Sequence, residues 1–328
     1  MATPDLTVMT LNVYFGGEFG AVFSANGLPE FIAAVGDLWR QVEASDIPAR
    51  ARSIAHEVAS AAPDLVALQE VVQWSTGAPG AMAIKYDFLR SILDALRTLG
   101  VFYTPIAITR DLDQMVPLDT EGNFLRFKDR DAVLMRVDSP PTAVRPYDIQ
   151  VGTFSHLFQI KNPLSGSLPL PRGWIAVDSM LGEAKFRFVT SHVESIDRAI
   201  QLVQANELIA ELANTAIPVI IAGDFNSNAN RQPQIEDYTE TYPALIEAGF
   251  TDAWVAVNPR DPGNTCCHAA DLRNPLLSLD RRLDLILTRG ALTCISAKLV
   301  AADPAARTSS GIWPTDHAGV VATLRFTS

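Results

Sequence analysis

The run Pro218 to Asn226, Pro-Val-Ile-Ile-Ala-Gly-Asp-Phe-Asn, is an apolar strand that delivers Asp224 and Asn226 at its end. Uninterrupted apolar residues between Pro and Gly are the pattern of a strand covered on both faces. A carboxylate rarely ends such a strand without a partner, because desolvating a charge is costly. The pattern recurs along the chain. Leu6 to Val13 carries Asn12, and Leu65 to Val72 carries Glu70. Phe186 to Thr190 runs into Ser191-His192-Val193-Glu194, Arg282 to Thr288 carries Asp284, and Asp316 with His317 precedes Gly319 to Phe326. One such residue would be a satisfied core acid or a turn. Six strand ends predict a shared site at one edge of the sheets.

Between these strands the periodicity turns helical. Ile47 to Ala62, Tyr86 to Leu99 and Ile196 to Ala213 read as helices, the second with Phe88, Ile92, Leu93 and Leu96 on one stripe. Phe102 to Ile108, Asp131 to Val137, Tyr147 to Ile160, Trp174 to Ser179 and Ala297 to Ala301 read as further strands. Strands outnumber helices, and helices lie between them, which predicts sheets sandwiched by helices in one α/β layered domain over residues 1–328. Gly16 to Asp46, with a helix at Pro29 to Val42, stands out as an insertion, and Val72 to Ala83 as a loop after Glu70.

The totals narrow the function. Apolar residues make up 48% and charged residues 19%, enough for a large core and against wholesale disorder. A net charge of −11 argues against a broad cationic groove for nucleic acid, although clustered metal-binding carboxylates also lower the total. No apolar run approaches the roughly 20 residues that cross a bilayer. Met1 to Leu11 has no signal-peptide features, yet Met-Ala-Thr-Pro-Asp reads like an initiator methionine before a mature start. That favours a secreted or periplasmic protein over a cytoplasmic one. Cys266, Cys267 and Cys294 lack zinc-ligand spacing; either Cys294 pairs with one of the other two, or all three are reduced.

The residue types at the strand ends suit phosphoester hydrolysis. Mg²⁺ prefers carboxylate, amide and water oxygens, so Asn12, Glu70 and Asp316 make a ligand set, with Mn²⁺ or Ca²⁺ as substitutes. Asp224 is suited to orient or deprotonate a water, and Asn226 to donate to a phosphate oxygen. His192 and His317 suit phosphate binding or proton transfer near neutrality. Asp284 would fix the tautomer of His317.

Taken together, Thr-Leu-Asn-Val (10–13), Leu-Gln-Glu-Val (68–71), Thr-Ser-His-Val-Glu-Ser (190–195), Gly-Asp-Phe-Asn-Ser (223–227), Arg-Leu-Asp-Leu-Ile-Leu (282–287) and Thr-Asp-His-Ala-Gly (315–319) resemble the motifs of the endonuclease/exonuclease/phosphatase superfamily. That group includes pancreatic-type DNases, abasic-site endonucleases, inositol polyphosphate phosphatases and bacterial sphingomyelinases. The resemblance implies a DNase I-like four-layer sandwich, two packed mixed β-sheets flanked by helices. It also implies Mg²⁺ or Mn²⁺ around Glu70 with Asn12 and Asp316 nearby, and Asp224 and Asn226 acting on water and phosphate. Asp284–His317 would be the acid–imidazole pair and His192 a second phosphate-facing histidine.

One departure is the basic surface of several family nucleases. Here Arg126 to Arg130 and Arg281-Arg282 are short and mixed in sign. Arg172 is a candidate to approach the substrate, against a structural ion pair. Three functions compete: hydrolysis of a small-molecule or lipid-headgroup phosphomono- or diester, cleavage of DNA or RNA, and a catalytically inactive binding module. Phe15, Phe19, Val22, Phe23, Leu28 and Phe31 of the insertion would supply a lipid-facing wall, unless they pack beneath the insertion itself. The filled motif positions speak against the inactive module.

Overall fold

The computed structural model describes residues 5–327 apart from 138–143, 163–165, 213–214 and 231–237. The chain opens with β1 (Leu6–Asn12), α1 (Gly20–Ser24), α2 (Leu28–Ala44), α3 (Ile47–Ala61), β2 (Leu65–Gln69), β3 (Gln73–Gly77), β4 (Ala83–Asp87) and α4 (Phe88–Thr98). It continues through β5 (Tyr103–Ile108), β6 (Asp113–Pro117), β7 (Phe124–Lys128), β8 (Ala132–Arg136), β9 (Arg145–Thr153), β10 (Phe158–Asn162), β11 (Gly166–Leu170), β12 (Gly173–Leu181) and β13 (Ala184–Ser191). After α5 (Arg198–Leu212) come β14 (Val219–Asp224), α6 (Thr241–Glu247), β15 (Thr251–Asp252), α7 (Ala253–Val257), β16 (Asp284–Arg289), β17 (Leu292–Val300) and β18 (Gly319–Phe326).

Two six-stranded sheets form the centre, ordered β17-β18-β1-β2-β8-β5 and β15-β16-β14-β13-β12-β9. Both are mixed: β1 runs parallel to β2 and β13 parallel to β14, and the other pairings are antiparallel. Alternate side chains of each strand face opposite ways, so every inner strand fills two cores. Leu6, Val8, Leu65 and Ala67 meet Ile175, Val177, Phe186, Phe188, Ile220 and Ile286 between the sheets. Met9, Leu11, Val66 and Leu68 face Leu38, Ile54, Val58 and Ile92 of the helices on one outer side. Val189, Val219 and Ile221 face Leu208 and Leu245 on the other. The result is the expected four-layer sandwich.

Local chemistry explains where several elements stop. Helix α5 starts at Arg198 because Asp197 Oδ1 accepts from the amides of Ala199 and Ile200, capping two otherwise orphaned donors. The strand expected over Tyr147 to Ile160 breaks into β9 and β10, with Ser155 and His156 between them bound to Glu207. Ala213, expected at the end of the helix, lies outside the described residues.

The segment expected as a loop, Val72 to Ala83, instead contains β3, which pairs with β4 and β7 in a four-stranded sheet ordered β4-β3-β7-β6. Burial of Trp74 against Phe127, with ring centroids 4.7 Å apart, drives this pairing. The aromatic side chains of residues 15–31 join the same cluster: Phe19 packs on Trp74, Phe23 and Phe127, and Phe31 is buried. They pack beneath their own segment and into the core; Leu28 remains exposed.

The cysteines also depart from expectation. Cys266 and Cys267 are joined to each other, and Cys294 is free, its thiol directed at the Ser296 carbonyl. Cys294 sits on the edge strand β17, whereas the vicinal pair sits in the loop before β16.

Candidate active site

The strand directions explain how six distant motifs converge. Parallel β1 and β2 end together at Asn12 and Gln69, which puts Glu70 one residue beyond the sheet. Parallel β13 and β14 likewise end near His192 and Asp224, which form a bridge. The antiparallel strands β16 and β18 begin where those end, so Asp284 lies opposite Asp224 and the 315–317 loop adjoins Asn12. All eight expected residues therefore lie at one end of the sandwich.

Asn12 is the link between the sheets. Its Nδ2 donates to Glu70 Oε1 and to Asp224 Oδ2, each at 3.0 Å, and its Oδ1 accepts from the Tyr14 amide at 2.9 Å. Its oxygen is thus engaged by Tyr14, while its amide group joins the two carboxylates. Glu70 Oε2 accepts from the Phe15 amide at 3.0 Å. Asp224 Oδ1 accepts from the Asn226 amide at 2.9 Å, and Asn226 Nδ2 donates to the Val193 carbonyl. Glu70 (φ +59°) and Asn226 (φ +45°) both adopt left-handed backbone. Asn tolerates that region, but for Glu it costs on the order of 1 kcal/mol, strain of a kind that clusters at functional sites.

His317 Nδ1 donates to Asp284 Oδ2 at 2.7 Å, leaving Nε2 4.0 Å from Asp224 Oδ2. His192 Nε2 approaches the same oxygen at 3.6 Å. The two imidazoles differ in charge. Burial works against the His317 cation, but Asp284, Asp316 and Asp224 outweigh it and raise its pKa well above the ordinary value. For His192, burial and then Arg172 lower it to about 3, so the ring is neutral. Arg172 Nη1 donates to His192 Nδ1 at 3.0 Å, which leaves the ring proton on Nε2.

Arg172, a candidate for either a substrate contact or a structural ion pair, is only 8% exposed and lies behind His192, between that ring and Asp129 at 4.0 Å. It supports the imidazole instead of meeting a ligand directly. Replacing Arg172 with Gln is expected to lower kcat by about 10- to 100-fold with little change in KM, as losses of orienting partners do. The ¹⁵N signals of His192 should move from one neutral tautomer to a mixture. An unchanged tautomer would show that Arg172 does not orient the ring.

The oxygen donors fit a hard divalent cation. Burial, and next the charge of Asp316, push the Glu70 carboxyl up to about 8. Burial also raises Asp316, even with His317 and Arg50 opposing. Two carboxylates repelling each other, Glu70 buried and Asp316 half-buried, mark a place where a cation offsets charge. Asp284 Oδ1 is buried without a hydrogen-bond partner among the described residues. Asp224, Asp284 and His317 also bring three ligand atoms within 4.8 Å of one another. Two of those residues are already hydrogen-bonded together as a pair, so Glu70 and Asp316, whose carboxylate oxygens keep lone pairs beyond the hydrogen bonds they accept, are the better candidates for oxygen donors.

Sequence reading missed the supports. Arg50 of α3 is fully buried and donates to the carbonyls of Val13, Tyr14 and Pro314, tying the Asn12 strand end to the 315–317 loop. Thr315 Oγ1 donates to the Asn12 carbonyl at 2.7 Å. Beneath the site, Thr10, Gln69 and Thr190 form a buried polar ladder from one sheet to the other. Thr265 Oγ1 accepts from the amides of Leu283 and Asp284 and fixes the start of β16. Only the polar Thr10, between Met9 and Leu11, offered a signal in the sequence.

Residues 9–317 match the Endonuclease/Exonuclease/phosphatase family. The chain belongs to that family. Its members are divalent-metal-dependent phosphoesterases, typically using Mg²⁺. No curated protein matches the chain. Among solved structures it resembles a family protein from Bacteroides thetaiotaomicron, with 19% identity, full coverage of both chains and a TM-score of 0.63. A family protein from Beutenbergia cavernae is 20% identical over 99% of this chain and 72% of its own, with a TM-score of 0.59. TDP2 from D. rerio, complexed with single strand DNA product, is 15% identical over 98% and 99%, with a TM-score of 0.56. Such likenesses speak to the fold. Among the described residues no helix is long and apolar enough to cross a membrane.

Proposed function

We propose that the chain is a divalent-metal-dependent hydrolase of a small-molecule or lipid-headgroup phosphoester. One observation carries the reading: Asn12 joins the carboxylates of Glu70 and Asp224 beside the Asp284–His317 pair. Glu70 and Asp316 would hold Mg²⁺, with Asn12 fixing Glu70. A cation there polarises a phosphoryl oxygen and offsets developing charge, an effect generally worth several kcal/mol.

The remaining roles follow from protonation. Burial opposes the charge of Asp224, but the adjoining His192 ring, the His317 cation and the donors from the Asn226 amide and Asn12 outweigh it and hold its carboxyl below the ordinary value. It is therefore the ionised acceptor suited to orient a water and take its proton. His317, charged and anchored by Asp284, supplies a donor to a phosphate oxygen. His192, with its proton on Nε2, supplies a second, uncharged donor. Asn226 lies beside them on the partly exposed side. We also read residues 1–328 as one domain with residues 16–46 inserted, since that segment packs into the same core as β1, β2 and α4.

The choice of a small substrate rests on the basic segments. Arg126 pairs with Asp113, Arg130 with Asp87, Arg281 with Asp280 and Arg282 with Asp252. Lys128 lies 3.9 Å from Asp113. These cations are neutralised in ion pairs and form no ridge for a phosphate backbone. The lipid version loses one argument, because the aromatic residues of the insertion pack inward. A nuclease is the second reading, supported by the fold shared with the DNA-bound TDP2 structure.

The discriminating experiment compares hydrolysis of bis- and mono-nitrophenyl phosphate, sphingomyelin and plasmid DNA under Mg²⁺. We expect turnover of at least one small ester or headgroup and intact plasmid. Plasmid nicking without turnover of the other substrates would replace the substrate class with nucleic acid.

A further inference from the structure

The vicinal cysteines stand beside the site but have no part in the chemistry above. Cys266 is buried and Cys267 half-buried, in a loop that reaches both the start of β16 and the 315–317 loop. The backbone of Cys266 bridges to Arg281 on one side and His317 on the other. The loop backbone is therefore tied to the strand end that carries the imidazole. Cys267 Sγ lies 4.0 Å from His317 Nε2, the nitrogen that Asp284 leaves free. Cys266, Cys267 and His317 each offer a ligand atom within 4.8 Å of the others.

We propose that, once reduced, Cys266 and Cys267 form with His317 a binding site for a thiophilic divalent cation such as Zn²⁺ or Cd²⁺. This site is separate from the oxygen donors Glu70 and Asp316, and an ion bound there withdraws His317 from phosphoester hydrolysis.

Three features of the geometry support this. First, the donors are soft: two sulfurs and one imidazole select Zn²⁺ or Cd²⁺ over Mg²⁺. Second, the sulfur–nitrogen span is close. Bonds near 2.3 Å to sulfur and 2.0 Å to nitrogen at a tetrahedral angle separate those two ligand atoms by about 3.5 Å, against the 4.0 Å between Cys267 Sγ and His317 Nε2, and reduction frees the two sulfurs to part to the roughly 3.8 Å that sharing one ion requires. Third, His317 is already oriented as metal-bound histidines are, with Nδ1–H donated to a carboxylate and Nε2 directed outward. The fourth position is left for water.

The chemistry balances in two steps. A phosphine reductant cleaves the S–S bond; with one water it becomes the phosphine oxide, and two thiols form. The cation then displaces the two thiol protons and the Nε2 proton of His317, releasing three protons and binding the two thiolates and the freed nitrogen lone pair.

A Co²⁺ titration after phosphine reduction tests the site without relying on activity. We expect a thiolate-to-cobalt charge-transfer absorption saturating at one equivalent, absent from the unreduced protein. Cys267→Ser, at the half-buried position, should weaken Co²⁺ binding by about 100-fold. His317→Asn should weaken it as well. With Mg²⁺ in excess, Zn²⁺ should inhibit the reduced enzyme far more than Cys267→Ser, each relative to its own Zn²⁺-free rate. Absence of the absorption in the reduced protein, or equal binding by Cys267→Ser, would overturn the proposal. The absorption reads out even if the substrate assignment is wrong.

Discussion

Asp224→Asn is expected to lower kcat by about a thousandfold, the middle of the range for a proton-transfer group. Asp224 is 1% exposed and gathers the site around its two oxygens. Oδ1 accepts from the Asn226 amide, and Oδ2 faces Asn12 Nδ2, His192 and His317. An Asn side chain keeps the first bond. At the second position its NH₂ group opposes the NH₂ of Asn12, donor against donor, and it cannot take a proton from water. The substitution therefore removes both the acceptor and the link between the sheets. Steady-state kinetics should show the loss mainly in kcat. Activity within tenfold of wild type would show that Asp224 is not the proton acceptor.

His317→Ala should lower kcat by about 100- to 1,000-fold, the cost of losing a donor aimed at developing charge. It should also destabilise the protein. Asp284 is buried, its Oδ1 has no hydrogen-bond partner among the described residues, and removing His317 strips Oδ2 of a 2.7 Å bond. The stability loss should be about 1–3 kcal/mol, the penalty for an unsatisfied buried polar group. Adding Asp284→Asn should change kcat little further, because the two residues act as a pair. Denaturant melts and kinetics on the three variants check both parts. Fully additive losses in kcat would mean that Asp284 acts independently of His317.

The site was legible in the sequence because its residues break a strong rule. Polar groups closing apolar strands are conspicuous, so Asn12, Glu70, His192, Asp224, Asp284 and the Asp316-His317 pair stood out one strand at a time. The strand directions that bring them together followed from the family resemblance, not from periodicity. Arg50 was invisible, since Arg50 and Arg52 both follow alanine in one helix and only tertiary packing separates them. Arg50 is buried beneath the site, while Arg52 is exposed. The four-stranded sheet was missed for a related reason. Its strands β3, β4, β6 and β7 are five residues each and mix polar with apolar residues, so burial of Trp74 and Phe127 settles them, not local pattern. Arg172 left two readings open in the sequence, substrate contact or structural ion pair, and only tertiary packing puts it against its buried neighbours Asp129 and His192.

The central claim is that a divalent cation at Glu70 and Asp316 and the Asp224–His317 machinery together cleave a phosphoester. Its most direct test follows hydrolysis of the responsive ester through EDTA treatment and Mg²⁺ restoration, in wild type and in Glu70→Gln. In wild type, EDTA should abolish hydrolysis and Mg²⁺ should restore it. Glu70→Gln should need far more Mg²⁺ or fail to recover. Hydrolysis that persists in EDTA, or Glu70→Gln activity with an unchanged Mg²⁺ requirement, would contradict it.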